Sequence, residues 1–202
     1  MKVIFLDHDG VICLETEWGT RNKKQREWGG RKMSMRINEI PIEYRFDNFN
    51  KKAVKVLNEI LEKTNAEIVV SSDWRFHATL EELGELYTQQ GIIKKPIGVT
   101  EEIDSDWEDI GIIPKNFQWI STFDLEQNRH FEIKKWLFDH PNVKNWVAID
   151  DLDMGFVVRD TSDEIHHRDW GLENFVWTNS FEGIKKLGTK EKIINILNNG
   201  SN

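Results

Sequence analysis

The chain has 202 residues, a formal net charge of -8 and 39% hydrophobic residues, enough length to bury one sizeable core and to favour a single domain over residues 1–202. The acidic balance argues against general affinity for polyanions, which bind through lysine and arginine. A single cysteine, Cys13, excludes an internal disulfide framework, and no secretory leader or apolar run near the ~18–20 residues of a membrane span is visible, so a reducing, cytoplasmic setting without membrane partners is expected.

Residues 2–7 read as a strand buried on both faces, because the apolar run within them, Val3 to Leu6, is short and continuous rather than alternating. Residues 14–50 are long, polar and rich in arginine, lysine and tryptophan, and are expected to form an insertion above the sheet. In "KKAVKVLNEILEKTN", Val54, Leu57, Ile60 and Leu61 share one helical face, and Asn65 is placed to end the helix. "EIVVS", 67–71, reads as a second buried strand. Residues 92–128, with Pro96, Pro114 and the acidic "EEIDSDWED", are expected to form a second insertion. In "HFEIKKWLFDHP", Ile133, Trp136 and Leu137 keep helical spacing and Pro141 follows the end. "NWVAID", 145–150, and "NFVWT", 174–178, add two strands, and Ile193, Ile194 and Leu197 mark a last helix near 189–198. Buried strands alternating with amphipathic helices predict an α/β fold, a Rossmann-like parallel sheet sandwiched by helices.

In such sheets ligands bind beyond the carboxyl ends of the strands, so those ends are the residues to compare. The first ends in Asp7 and Asp9, the second in Ser71 and Ser72, and the third in Asp150, Asp151 and Asp153. One carboxylate at a strand end is ordinarily a turn cap. Three such ends converging are different, because clustered carboxylates repel unless a cation joins them, and hard oxygen ligands suit Mg²⁺.

"VIFLDHDGVI" resembles the hhhhDxDGV signature of the haloacid dehalogenase (HAD) superfamily, "IVVSSDWR" its second motif and "NWVAIDDLD" its acidic fourth. "SSDWR", "EIKKWL", "AIDD" and "FVWTNSFEGIKKL" further resemble HAD-like domains of Swiss Army Knife RNA-repair proteins. The likeness covers 1–13, 51–76 and 129–198 and leaves the two insertions unmatched. It implies a HAD-like fold and a phosphatase of the phosphoric monoester hydrolase class. Asp7 would attack phosphorus to form an aspartyl-phosphate, and Asp9 would act as acid and then base. Aspartate at this second position is expected of phosphatases and mutases, since family ATPases carry threonine there. Ser71 would bind the transferring phosphoryl group, with Ser72 competing for that role and Arg75 reaching the substrate phosphate. Asp7, the backbone carbonyl of Asp9, Asp150 and Asp151 would hold Mg²⁺, with Asp153 a weaker candidate. The third family motif is a lysine, and here Arg129 stands in its place, able to supply charge and a bidentate grip but not the same shape. Lys134 and Lys135 lie a turn or more further on and are expected at the surface. His8 is expected to point away from both neighbouring aspartates and to carry no chemistry.

Residues 20–36 contain seven basic residues and one acidic. Such runs are usually solvated faces, yet this one lies where a cap would choose the substrate, and with Trp18 and Trp28 it offers phosphate contacts and base stacking. The substrate is therefore expected to be a phosphorylated small molecule or nucleotide. An end-phosphorylated nucleic acid in repair or phage metabolism is the alternative, and a binding module without turnover is a third reading. His166 and His167 are expected in a polar surface loop, since adjacent histidines diverge and zinc ligands are usually more widely spaced.

Overall fold

A computed structural model describes residues 1–28, 36–103, 105–113, 125–154 and 172–199. Five strands form one sheet: β1 (Lys2–Leu6), β2 (Glu67–Val70), β3 (Gly98–Val99), β4 (Asn145–Asp150) and β5 (Phe175–Trp177). Their order is β3-β2-β1-β4-β5 and every pairing is parallel. The helices are α1 (Thr20–Glu27), α2 (Ile42–Arg45), α3 (Lys51–Thr64), α4 (Leu80–Gln89), α5 (Leu125–Asp139) and α6 (Thr189–Asn199). Among the described residues no helix is long and apolar enough to cross a membrane.

Alternation along β1 sends Ile4 and Leu6 to one face of the sheet and Val3 and Phe5 to the other. The first pair joins a cluster with Leu57, Ile60 and Leu61 of α3, Leu83 and Tyr87 of α4 and Ile193 and Leu197 of α6. The second pair packs with Ile133 and Trp136 of α5, and Phe5 meets the Trp136 ring edge-on at 5.3 Å. Both faces of the strands are thereby covered, which is why their sequences are continuously apolar. The predicted sandwich is the observed one.

Local chemistry sets the helix ends. Asn50 caps α3 by accepting from the N–H groups of Lys52 and Ala53, and Asn65 ends it in the left-handed conformation at φ 52°. Thr79 and Glu82 form a reciprocal capping box at the start of α4.

Two segments differ from expectation. Residues 98–99, inside the expected second insertion, are an edge strand paired with β2. The segment 14–50 carries α1 and α2, and its end enters the core through Phe46 and Phe49, both stacked on Trp74. Residues 29–35, Pro114 and His166 and His167 lie outside the described residues, as does most of the polar loop expected around those histidines.

Candidate active site

The strand order reverses at β1: β2 and β3 lie on one side, β4 and β5 on the other. A parallel sheet opens a crevice at such a point, beyond the strand carboxyl ends. Asp7 follows β1 and donates its N–H to Ile149 O, while Asp150 ends β4, so the two acids flank that crevice on adjacent strands. After Asp7 the chain turns tightly, with the N–H groups of Val11, Ile12 and Cys13 all donating to His8 O. Gly10 sits in this turn at φ 69°, and a Cβ there would come within 2.1 Å of Asp151 Oδ2. Glycine therefore does two things here: it permits the turn, and it lets the Asp151 carboxylate lie against the backbone of the first loop.

Oxygens of Asp7, Asp150 and Asp151 lie within 4.8 Å of one another. That spread is near the ~4 Å across an octahedral Mg²⁺ shell, and the donors are the hard oxygens such a cation prefers. The residues fit a divalent cation on this ground. Burial, followed by the neighbouring Asp150 charge, pushes the Asp7 carboxyl well above the usual range, and Arg129 opposes the shift. Asp150 is raised to about 7 by burial, and burial together with Asp9 raises Asp151. Three carboxyls crowded in low dielectric resist ionising together, and a cation among them relieves that repulsion.

Arg129, on α5, is buried against the acids. Its Nη1 donates to Asp7 Oδ1 at 2.9 Å, to Ser71 O at 2.6 Å and to Asp150 Oδ2 at 3.1 Å, and its Nη2 donates to Asp73 Oδ1 at 2.8 Å. Burial alone would lower its pKa, but the carboxylates of Asp7, Asp150 and Asp73 outweigh burial and raise it further. A fixed positive charge thus touches the first and fourth acid positions together.

Ser71 and Ser72 are both 1% exposed, and neither hydroxyl has a hydrogen-bond partner among the described residues. Ser72 stands at the start of a short 3-10 turn, Asp73–His77, without capping it through its side chain. A buried hydroxyl without a partner is costly, and Ser71, whose carbonyl meets Arg129 of the acid cluster, is suited to a ligand that brings acceptor oxygens. Arg75 is engaged elsewhere: its Nη2 donates to Glu132 Oε2 at 2.7 Å, although its Nε and Nη1 lack hydrogen bonds. Glu132, with Thr100 also donating to it, is raised to about 7 by burial despite the two arginines.

Asp9 lies in the first loop, near enough to Asp151 for its charge to raise that carboxyl. It accepts from the Trp74 indole N–H at 2.8 Å. Burial raises its pKa, while the bonds from Trp74 and from the buried Cys13 thiol oppose the rise. Beside it opens a cleft of about 270 Å³ lined by Asp9, Trp18, Gly19, Arg21, Asn22, Asp47 and Trp74. His8 turns away as expected: its Nε2 bonds the Tyr87 hydroxyl at 2.7 Å and its ring packs on Trp74. Burial lowers its pKa to about 3, which keeps the imidazole neutral. Lys135 pairs with Asp139 one turn on, and both it and Lys134 are half-buried rather than on the open surface expected for them.

The structure therefore gathers Asp7, Asp150, Asp151 and Arg129 into one cluster with the Ser71 backbone, and places Asp9 on the wall of the cleft. Sequence reasoning missed Asp73, Trp74, Glu132 and the cleft residue Asp47, while Trp18, Arg21 and Asn22 belong to the segment it expected to contact substrate. Only the run "DWR" directly after a strand end hinted at the first two.

Among family models, the HAD domain in Swiss Army Knife RNA repair proteins matches residues 3–187. Neither curated proteins nor solved structures give a match.

Proposed function

The chain belongs to the family of HAD domains found in Swiss Army Knife RNA repair proteins, and from that premise we propose that it is a Mg²⁺-dependent phosphatase working through an aspartyl-phosphate. One observation carries this reading: Arg129 bridges Asp7 and Asp150 within a triad of carboxylates that also includes Asp151.

Phosphate monoesters hydrolyse extremely slowly unaided, so nucleophile, acid, charge neutralisation and alignment must all be supplied. Asp7 supplies the nucleophilic oxygen, forming a bond to phosphorus as the ester oxygen leaves. Asp9 gives that oxygen its proton, and afterwards accepts one from the water that cleaves the aspartyl-phosphate. Arg129 balances the phosphoryl charge and holds the Asp7 carboxylate in one orientation. The Ser71 hydroxyl donates to a phosphoryl oxygen, and Ser72 is close enough in sequence to share that role. Asp7, Asp150, Asp151 and the Asp9 carbonyl would hold Mg²⁺, which when bound supplies Lewis-acid stabilisation of the phosphoryl oxygens. Arg75, committed to Glu132, supports this wall rather than the substrate.

Asp7→Asn is expected to abolish hydrolysis of p-nitrophenyl phosphate while leaving the thermal melt cooperative. Full activity in that variant would refute the nucleophile.

A second reading, that the substrate is a phosphorylated nucleic-acid end, is favoured by the family's RNA-repair context and by α1, which carries Arg21, Lys23, Lys24 and Arg26 and sets Arg21 on the cleft wall. It predicts a higher kcat/KM on an end-phosphorylated oligonucleotide than on a mononucleotide, with the difference shrinking as salt rises. Equal values on the two would leave the small-molecule reading in place.

A further inference from the structure

Trp74 is itself held rigidly. It is 7% exposed. Its ring stacks on Phe46 at 4.4 Å and 6° and on Phe49 at 5.4 Å and 15°, and His8 meets it at 4.6 Å. These partner rings come from two segments distant from Trp74 in the chain, so the direction of the indole N–H is fixed by tertiary packing. That N–H ends on one oxygen, Asp9 Oδ2, and the buried Cys13 thiol, a much weaker donor, also bonds this carboxyl. A carboxyl turning about its last bond offers two nearly equivalent oxygens, and a fixed donor on one of them removes the equivalence. Trp74 and Asp9 both line the cleft, so acid and donor face the same open space.

The geometry points to Trp74 as a positioning residue that holds Asp9 Oδ2 as an acceptor and leaves Oδ1 to carry the proton to the departing oxygen. This rests on the reading of Asp9 as the acid. As the Asp7 oxygen bonds to phosphorus, the bond from phosphorus to the ester oxygen breaks. The electron pair left on that oxygen takes the Oδ1 proton, and Asp9 becomes a carboxylate. Hydrogen bonds to an ionised acceptor are stronger than to a neutral one. The indole N–H therefore binds Asp9 more strongly as the proton leaves, so Trp74 favours the transition state over the ground state. In the second half of the cycle the same bond keeps Oδ1 turned toward the attacking water, whose proton it accepts.

Trp74→Phe keeps a stacked ring and removes the donor. The two probes are p-nitrophenyl phosphate and phenyl phosphate, similar in shape, the second with the more basic leaving oxygen and so the greater need for an acid. The quantity read is kcat/KM, which covers steps through the first phosphoryl transfer. On phenyl phosphate Trp74→Phe is expected to lose about tenfold, a fraction of the 10²–10⁴ that a general acid typically contributes, and on p-nitrophenyl phosphate less than about twofold. The ratio of the two values does not depend on how much of the variant is folded. Asp9→Asn, run alongside, is expected to show a larger bias of the same kind, and adding Trp74→Phe to it should leave the ratio unchanged. Equal losses on both substrates, no loss on either, or a further change of ratio in the double variant would overturn the positioning role. Full activity of Asp9→Asn on phenyl phosphate would instead overturn the assignment of the acid.

Discussion

Arg129 shows how one residue reorganises its surroundings. A lysine offers one nitrogen, which three acceptors at Asp7, Asp150 and the Ser71 carbonyl would saturate. The guanidinium has a second terminal nitrogen, and Asp73 receives it. Arg129 and Asp73 should therefore behave as a coupled pair. Asp73→Ser is expected to lower kcat/KM about fivefold in the native background, the worth of one partly exposed charged hydrogen bond, and to change it less than twofold once Arg129 is lysine. Additive losses across the four proteins would show the contact to be incidental. His8 carries a different consequence. Its buried, neutral imidazole must take up a proton when the chain unfolds below its ordinary pKa of 6.5. Its contribution to stability is present above that pH and is lost as pH falls toward about 3. The raised carboxyls of Asp7, Asp9, Asp150, Asp151 and Glu132 act in the opposite sense, binding protons earlier in the folded state. The imidazole is thus read by difference: urea midpoints of His8→Gln should fall less on acidification from pH 7 than those of the native protein. Parallel profiles would remove His8 from the account.

At the scale of elements, α2 is too short to be stable alone and depends on what its last residue binds. Arg45 is 2% exposed and donates to the carbonyls of Ile40, Asn38 and His77 and, through both terminal nitrogens, to Glu82. It therefore ties α2 to the start of α4 and to the end of the turn that carries Trp74. Arg45→Met is expected to cost about 2–4 kcal/mol in chemical denaturation, since several buried acceptors lose their donor at once. A cost below about 1 kcal/mol would mean that the clamp is dispensable. The elements also differ in how far their residues announce them. α3 is legible from Lys51 to Asn65, because its apolar periodicity and its C-terminal Asn65 agree, whereas its Asn50 cap is seen only in the structure. β1, β2 and β4 are legible because burial on both faces writes an unbroken apolar run, and β5 because Phe175 and Val176 are apolar and buried although Trp177 is exposed. β3 was not, because two residues acquire strand identity only through pairing with Val69 and Val70. α4 announces itself less clearly: Thr79 and Glu82 spell a capping box, but Gly84 interrupts its short apolar stripe. In the site, the acids at the strand ends could be read from position alone. Trp74 and Asp73 could not, because each acts on a residue more than fifty positions away.

For the whole molecule, the acidic balance and the carboxylate triad make one thermodynamic prediction. A cation that binds the folded site and not the unfolded chain stabilises it by mass action. Millimolar Mg²⁺ is expected to raise the melting temperature of the native protein, and Asp151→Asn to abolish the rise. An unchanged native melt would count against the metal reading without reference to catalysis. The sheet that assembles the triad also shelters the chain's one thiol. Cys13 is fully buried beside Asp9, and burial pushes its pKa upward, away from the reactive thiolate. A maleimide dye should consequently ignore the native protein. One cysteine introduced at exposed Asn22, on the cleft rim, would then take a fluorophore at a single known address, giving an optical reporter of occupancy with no background labelling to subtract.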